Sequence, residues 1–275
     1  MSDVKLYKMS GAGNDFVVLD GRGIDVSWFR RPEHIAKLCR EYRTDGLMIL
    51  DDGDADFRME FFNPDGSGGM MCGNGGRCIV AFADWLGITP SAPDHYTFLA
   101  PDGLHTADIL ARPSNGCSPA VWIVKLKMID VEGVSEVLGG YFLNTGTRHF
   151  VKFVEDVEKI DIEKEGKELR WNEAFAPEGA NVNFVQVCGD HLKVRTFEKG
   201  VEGETLACGT GITASAIAAM KHGAKPANLE VGAPRYTILA RRGDILQVEF
   251  STNGDSTYRN VYLTGPAEFC KTSES

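Results

Sequence analysis

No stretch of this 275-residue chain is apolar for long enough to cross a membrane, and its opening residues, MSDVKLYKMS, hold no apolar signal core. Basic charge is scarce: 29 Lys and Arg stand against 39 Asp and Glu, a net charge of −10. That balance argues against a nucleic-acid partner, which needs a basic face, and leaves small molecules open. Missing too are the P-loop lysine of GxxxxGK[ST], a GxGxxG pattern (GAGNDF does not fit it) and any CxxC pair on which to build a zinc site. Seven cysteines make an odd number. Without a signal segment they read as free thiols of a cytoplasmic protein rather than as a disulfide framework. There are no low-complexity segments. What is present, 43% hydrophobic and 25% charged residues, is ordinary for a globular protein of one large domain or two modest ones.

The chain repeats itself. MMCGNGGRC (70–78) and LACGTGITA (206–214) put Cys72 and Cys208 136 residues apart, almost half the chain. Gly87 and Gly223 each lie 15 residues beyond their cysteine. Between run GNGGRCIVAFADWL and GTGITASAIAAMKH, apolar around most of their circumference, which predicts two buried helices with glycine C-caps. RMEFFN (58–63) aligns with KVRTFE (193–198), each an alternating strand leading through a glycine-containing turn to the cysteine. Upstream, GAGNDFVVLD (11–20) aligns with GTRHFVKFVED (146–156), which matches Asn14 with His149, 58 and 59 residues before the cysteines. A period of this length implies duplication into two similar modules that face each other.

Short alternating strands dominate elsewhere, among them VWIVKLKM, VNFVQVC, RYTILARR and DILQVEF. RPEHIAKLCREY reads as an outer helix, with Pro32 in its first turn and a stripe of Ile35, Leu38, Cys39 and Tyr42. ARPSNGCSP (111–119) is the candidate linker. The expected fold is α+β: two pseudo-symmetric modules, 1–117 and 118–262, each a curled antiparallel sheet or barrel around one buried central helix.

A cysteine ahead of a glycine-rich turn is ordinarily a small buried hydrophobe. Packing alone does not require cysteine at both copies of a repeat. At a helix N-terminus, unpaired N–H groups and the positive end of the dipole favour thiolate and can also hold a carboxylate. Two such thiols on opposite sides of one molecule could invert a carbon stereocentre, one removing a proton while the other delivers one. Helix N–H donors would stabilise the charge that develops on the substrate carboxylate. Asn63 and Glu198 end the aligned strands, and Asn14 and His149 sit at the earlier turn. Alone, the two asparagines are ordinary turn-formers, His149 a structural histidine and Glu198 a solvated turn charge. Their shared position beside the paired cysteines makes them site candidates. Cys39, Cys78, Cys117, Cys188 and Cys270 read as structural or surface thiols.

GAGNDFVVLD, FFNPDGSGGMMCGNGGRC, PEGANVNFVQV and ETLACGTG, in that order and over nearly the whole chain, resemble the diaminopimelate epimerase family. Those enzymes interconvert LL- and meso-diaminopimelate without a cofactor, for lysine and cell-wall synthesis. The resemblance implies that Cys72 and Cys208 are the acid–base pair and that His149 and Glu198 assist their proton traffic. It assigns Gly73-Asn74 and Gly209-Thr210 to the reacting carboxylate, and Asn14, Asn63, Asn181 and Lys199 to the rest of the substrate. It also implies no cofactor or metal, a cytoplasmic homodimer, and a C-terminal segment, 263–275, that returns to the first module.

Three segments depart from the family's usual text. Glu198-Lys199 replaces Glu-Arg, CREYRTDGLMIL is shorter than a GIGADG-like loop and keeps only Asp45-Gly46, and GTRH replaces Gly-Asn-Pro-His. Lys199 retains the arginine's charge as one compact ammonium, while Arg148 offers a planar fork. The expected activity is two-cysteine, PLP-independent epimerisation of LL-diaminopimelate to the meso form. Racemisation of another amino acid, such as histidine or a proline derivative, is the nearest rival. A non-catalytic amino-acid-binding or assembly protein on the same scaffold is the other, although a binder needs no opposed thiols.

Overall fold

The computed structural model describes residues 4–114, 116–230, 233–252, 254 and 256–270. It divides into two compact units, Met1–Leu126 with Gly265–Ser275, and Lys127–Thr264. In the first unit the elements run β1 (Tyr7–Gly11), β2 (Asn14–Asp20), α1 (Pro32–Tyr42), β3 (Leu47–Asp51), β4 (Phe57–Phe62), α2 (Gly73–Trp85), β5 (His95–Ala100), β6 (Gly103–Ala111) and β7 (Ala120–Lys127). The second holds β8 (Val131–Glu132), β9 (Ser135–Val137), β10 (Gly140–Asn144), β11 (Arg148–Phe153), α3 (Lys167–Arg170), β12 (Asn181–Cys188), β13 (His191–Glu198) and β14 (Gly203–Thr205). Then follow α4 (Gly209–Lys221), β15 (Asn228–Glu230), β16 (Ala233–Leu239), β17 (Ile245–Thr252) and β18 (Thr257–Cys270), whose residues from Gly265 count with the first unit.

The first unit is a closed barrel. Hydrogen-bonded neighbours run β1–β2–β3–β4–β5–β6–β7–β18 and return from β18 to β1, so no strand edge is left open. Two of these pairs, β2–β3 and β4–β5, are parallel. Each follows a crossover through a helix, α1 or α2, as a parallel pair requires. The second unit repeats this order from β10–β11 through β18–β8, again with two parallel pairs, β11–β12 and β13–β16. The antiparallel expectation therefore holds for most pairs and yields at the crossovers.

A central helix fills each ring. Residues 73–83 of α2 are buried without a break, and α4 is buried at ten of its thirteen positions, so little of either surface is left for water. Each helix stops at a glycine in the left-handed region, where a side chain would strain the backbone: Gly87 at φ 75° and Gly223 at φ 86°. The amide that follows each of them bonds back into the helix, Ile88 N–H to Ala83 O and Ala224 N–H to Ala219 O. The α1 helix packs outside, with Ile35, Leu38 and Cys39 against Val17, Leu19, Leu47 and Ile49 of β2 and β3, and Tyr42 half-buried beside them.

The 111–119 stretch is the β6–β7 connection inside the first unit, with residue 115 outside the described set. The division between units falls after Leu126 because β7 is laddered to β6 and to Gly265–Phe269. Residues 265–270 of the C-terminal segment complete the first barrel, while 271–275 lie outside the described residues.

Strand register corrects one equivalence. Val17 pairs with Leu47 and Leu47 with Phe62, just as Phe150 pairs with Val182 and Val182 with Phe197. Asn14 thus matches Thr147, and His149 matches Phe16. Counting back from the cysteines misaligns them because the β11–β12 connection is longer than the β2–β3 connection.

Candidate active site

Each cysteine is the N-cap residue of its central helix, in extended conformation (Cys72 φ −108°, Cys208 φ −111°). Local sequence explains this, since the glycines at 73, 75, 209 and 211 let the first turn pack against strands without side-chain bulk. In the first unit the Gly75 N–H donates to Cys72 Sγ at 3.3 Å. A backbone donor aimed at sulfur stabilises negative charge there. Beside it, the buried Asn74 donates through Nδ2 to Asn14 Oδ1 at 2.6 Å. Arg77, wholly buried one turn further on, donates to Asn74 Oδ1 and Gly73 O at 3.0 Å each and to Pro266 O at 3.3 Å. The arginine orients the amides in series, so that Asn14 is left to present its NH2 group.

Asn63 stands apart from this group in its bonding. Its Nδ2 donates to Ser67 Oγ at 3.0 Å within the turn that leads to Cys72.

The second unit carries a different apparatus. Cys208 is buried, and its Sγ lies 3.4 Å from Thr210 Oγ1. Thr210 Oγ1 is 3.0 Å from His149 Nε2 and 3.1 Å from Thr147 Oγ1, which itself lies 2.9 Å from Nε2. His149 is fully buried, and desolvation pushes its imidazole down to about 3, so the ring is neutral. Asn181 donates through Nδ2 to Thr147 Oγ1 at 3.3 Å and to Arg148 O at 3.2 Å, and its Oδ1 accepts the Lys199 N–H at 2.8 Å. Glu198, half-buried at the end of β13, directly precedes exposed Lys199. Arg148 pairs with Glu178 at 3.2 Å and stacks 5.1 Å over Phe142, so its fork is already engaged.

Cys72, Gly73, Asn74 and Asn14 thus form one connected group. Cys208, Gly209, Thr210, His149, Asn181 and the Lys199 backbone form another. Sequence reasoning missed Arg77, Asn183 and Thr196. Asn183 bonds His149 Nδ1 at 3.0 Å and accepts from Thr196 Oγ1 at 2.9 Å. A usable signal was there: an asparagine at the centre of the apolar run VNFVQV. Among the other cysteines, Cys39 and Cys78 are buried, with burial pushing both thiols up. Cys117 is exposed, and Cys188 and Cys270 are half-buried.

The family model for diaminopimelate epimerase matches residues 6–108 and 141–270, most of the chain. The chain belongs to the diaminopimelate epimerase family. It is therefore an isomerase, of the epimerase kind. A diaminopimelate epimerase of Flavobacterium psychrophilum is 40% identical over 97% of this chain and 98% of that protein. One from Aquifex aeolicus is also 40% identical, over 95% and 94%. Solved structures share the fold at low identity. A PhzF-family phenazine biosynthesis protein of Bacillus anthracis gives a TM-score of 0.71 at 13% identity, covering 98% of this chain and 96% of that one. A hydroxyproline epimerase of Agrobacterium vitis gives 0.63 at 15%, covering 96% and 88%.

Proposed function

We propose that this epimerase converts LL-diaminopimelate to the meso form by proton exchange between two cysteines, without pyridoxal phosphate or a metal. One thiolate, of Cys72 or Cys208, takes the α-proton, and the C–H electron pair stays on the α-carbon, delocalised into the carboxylate. The other cysteine, as a thiol, gives its proton to the opposite face, which inverts the centre and leaves the pair with its protonation exchanged. The first-turn N–H groups at Gly73-Asn74 and Gly209-Thr210 receive the carboxylate on which charge develops. His149 and Glu198 assist the proton traffic, while Asn14, Asn63, Asn181 and Lys199 hold the remainder of the substrate. In the same proposal the enzyme is a cytoplasmic homodimer.

The observation that carries this reading is the duplicated N-cap cysteine, each with a CGxG first turn, in a chain of this family. A packing role needs one small residue at each place; it does not need two thiols at two positive helix ends. The experiment is incubation with LL-diaminopimelate in D2O, following α-deuterium incorporation and the meso product. Cys72→Ala and Cys208→Ala should each abolish turnover in a folded protein, since one acid–base group contributes about 10²–10⁴-fold. Near-normal turnover in either variant refutes the two-base scheme. Faster turnover of a single-headed amino acid than of diaminopimelate refutes the substrate.

A further inference from the structure

The hydrogen bonds around Cys208 can be given directions, because three of their anchors are backbone groups that cannot exchange donor for acceptor. Phe150 O only accepts, so the atom of Asn183 that lies 3.2 Å from it is the amide nitrogen. The same nitrogen, a donor, is 3.0 Å from His149 Nδ1. Nδ1 therefore accepts, and the neutral ring carries its proton on Nε2. The Thr196 hydroxyl closes the other side by donating to Asn183 Oδ1 at 2.9 Å. Asn183, His149 and Thr196 are all buried, so water offers little competition.

The direction continues outward. The Lys199 N–H fixes Asn181 Oδ1 and Arg148 O fixes its Nδ2, which donates to Thr147 Oγ1. Thr147 Oγ1 also stands 2.9 Å from the protonated Nε2, so its own proton turns to Thr210 Oγ1 at 3.1 Å. Thr210, receiving from that side and from Nε2 at 3.0 Å, has its own proton left for Cys208 Sγ at 3.4 Å. By register the places of His149, Asn183 and Thr196 are taken in the first unit by Phe16, Met48 and Phe61, which can build no such chain.

We propose that Asn183 is a positioning residue for Cys208. It holds His149 as the Nε2–H tautomer, and this makes the Thr210 hydroxyl a donor to the sulfur. A donor at the sulfur stabilises the thiolate, the form that removes a proton. With the opposite tautomer Nε2 would accept, the hydroxyls would turn round, and the sulfur would have to donate as a thiol. The proposal rests on the reading above in which Cys208 exchanges the α-proton.

The test is 15N NMR of the histidine-labelled protein, with the His149 signals assigned by their loss in His149→Gln. In the wild type Nδ1 should show a pyridine-type signal and Nε2 a proton-bearing, pyrrole-type one. The reverse assignment overturns the proposal with no further variant needed, which also covers failure of a variant to fold. In Asn183→Asp the new carboxylate accepts from Nδ1, so the tautomer should reverse. At the same time kcat should fall on the order of 10²-fold, the lower range for an acid–base group, with KM changed much less. An unreversed tautomer, or a reversed one with kcat intact, overturns it. Failure of the cysteine reading is distinguishable, because Cys208→Ala would then keep its turnover whatever tautomer His149 shows.

Discussion

Gly75 and Gly211 occupy the same place in the two central helices, three residues after the cysteine, yet alanine should have opposite effects at them. In a helix the change from glycine stabilises by up to ~1 kcal/mol. At Gly75 the new Cβ would meet Cys72 Sγ and Met48 Sδ at 3.3 Å and Met59 Cε at 3.5 Å. Two of those neighbours are ends of flexible methionine chains that can yield. At Gly211 it would overlap Asn183 Oδ1 and lie 3.3 Å from both Cys208 Cβ and His149 Cε1. Asn183 cannot retreat without loosening its bonds to Thr196, His149 and Phe150 O, each contributing about 0.5–1.5 kcal/mol. Overpacking of this kind costs about 1–3 kcal/mol, which outweighs the propensity gain. Gly75→Ala should be neutral or slightly stabilised. Gly211→Ala should lose about 1–3 kcal/mol in urea titration, lower Tm by several degrees, and lose turnover as His149 is displaced. Equal stability of the two variants would refute the reasoning, since the clash at Asn183 is the only term that separates them.

The remaining expectations concern single groups. Burial lowers His149 from 6.5 to about 3, so the folded protein keeps it neutral while the unfolded chain binds a proton below pH 6.5. Stability should be untouched by this group above pH 6.5 and should fall as pH drops from there toward 3, by about 2 kcal/mol at pH 5. Urea titrations at pH 7 and pH 5 should show that difference shrink in His149→Gln; an unchanged difference assigns the loss to other groups. Arg77→Met strands Gly73 O, Asn74 Oδ1 and Pro266 O without their donor and should cost about 3 kcal/mol or more in the same titration, a loss under 1 kcal/mol being contrary to its bonding. Lys199→Met should weaken kcat/KM for diaminopimelate by roughly 1.5–3 kcal/mol, the scale of a charged hydrogen bond, and leave an amino acid with no distal carboxylate nearly unaffected. Equal losses on both substrates would remove Lys199 from the distal subsite.

The sequence by itself determined what depends on near neighbours along the chain. The two CGxG turns ahead of all-round apolar segments were enough to fix two buried helices and their cysteine caps, because capping and helix burial are set within a few residues. The α1 stripe was legible for the same reason. The order of like segments likewise gave the duplication and the family resemblance. Tertiary structure alone decided what strand register brings together. Register matched Asn14 with Thr147 rather than with His149, and it put Asn183 of β12 between His149 of β11 and Thr196 of β13. It also turned Arg77, one charged side chain in an apolar helix, into the donor that orients Asn74 and Asn14. These contacts join residues up to 60 positions apart, and in a strand a shift of one residue sends a side chain to the opposite face. A pattern read locally cannot carry that information, so the two cysteines were visible in the sequence and the unequal surroundings that distinguish them were not.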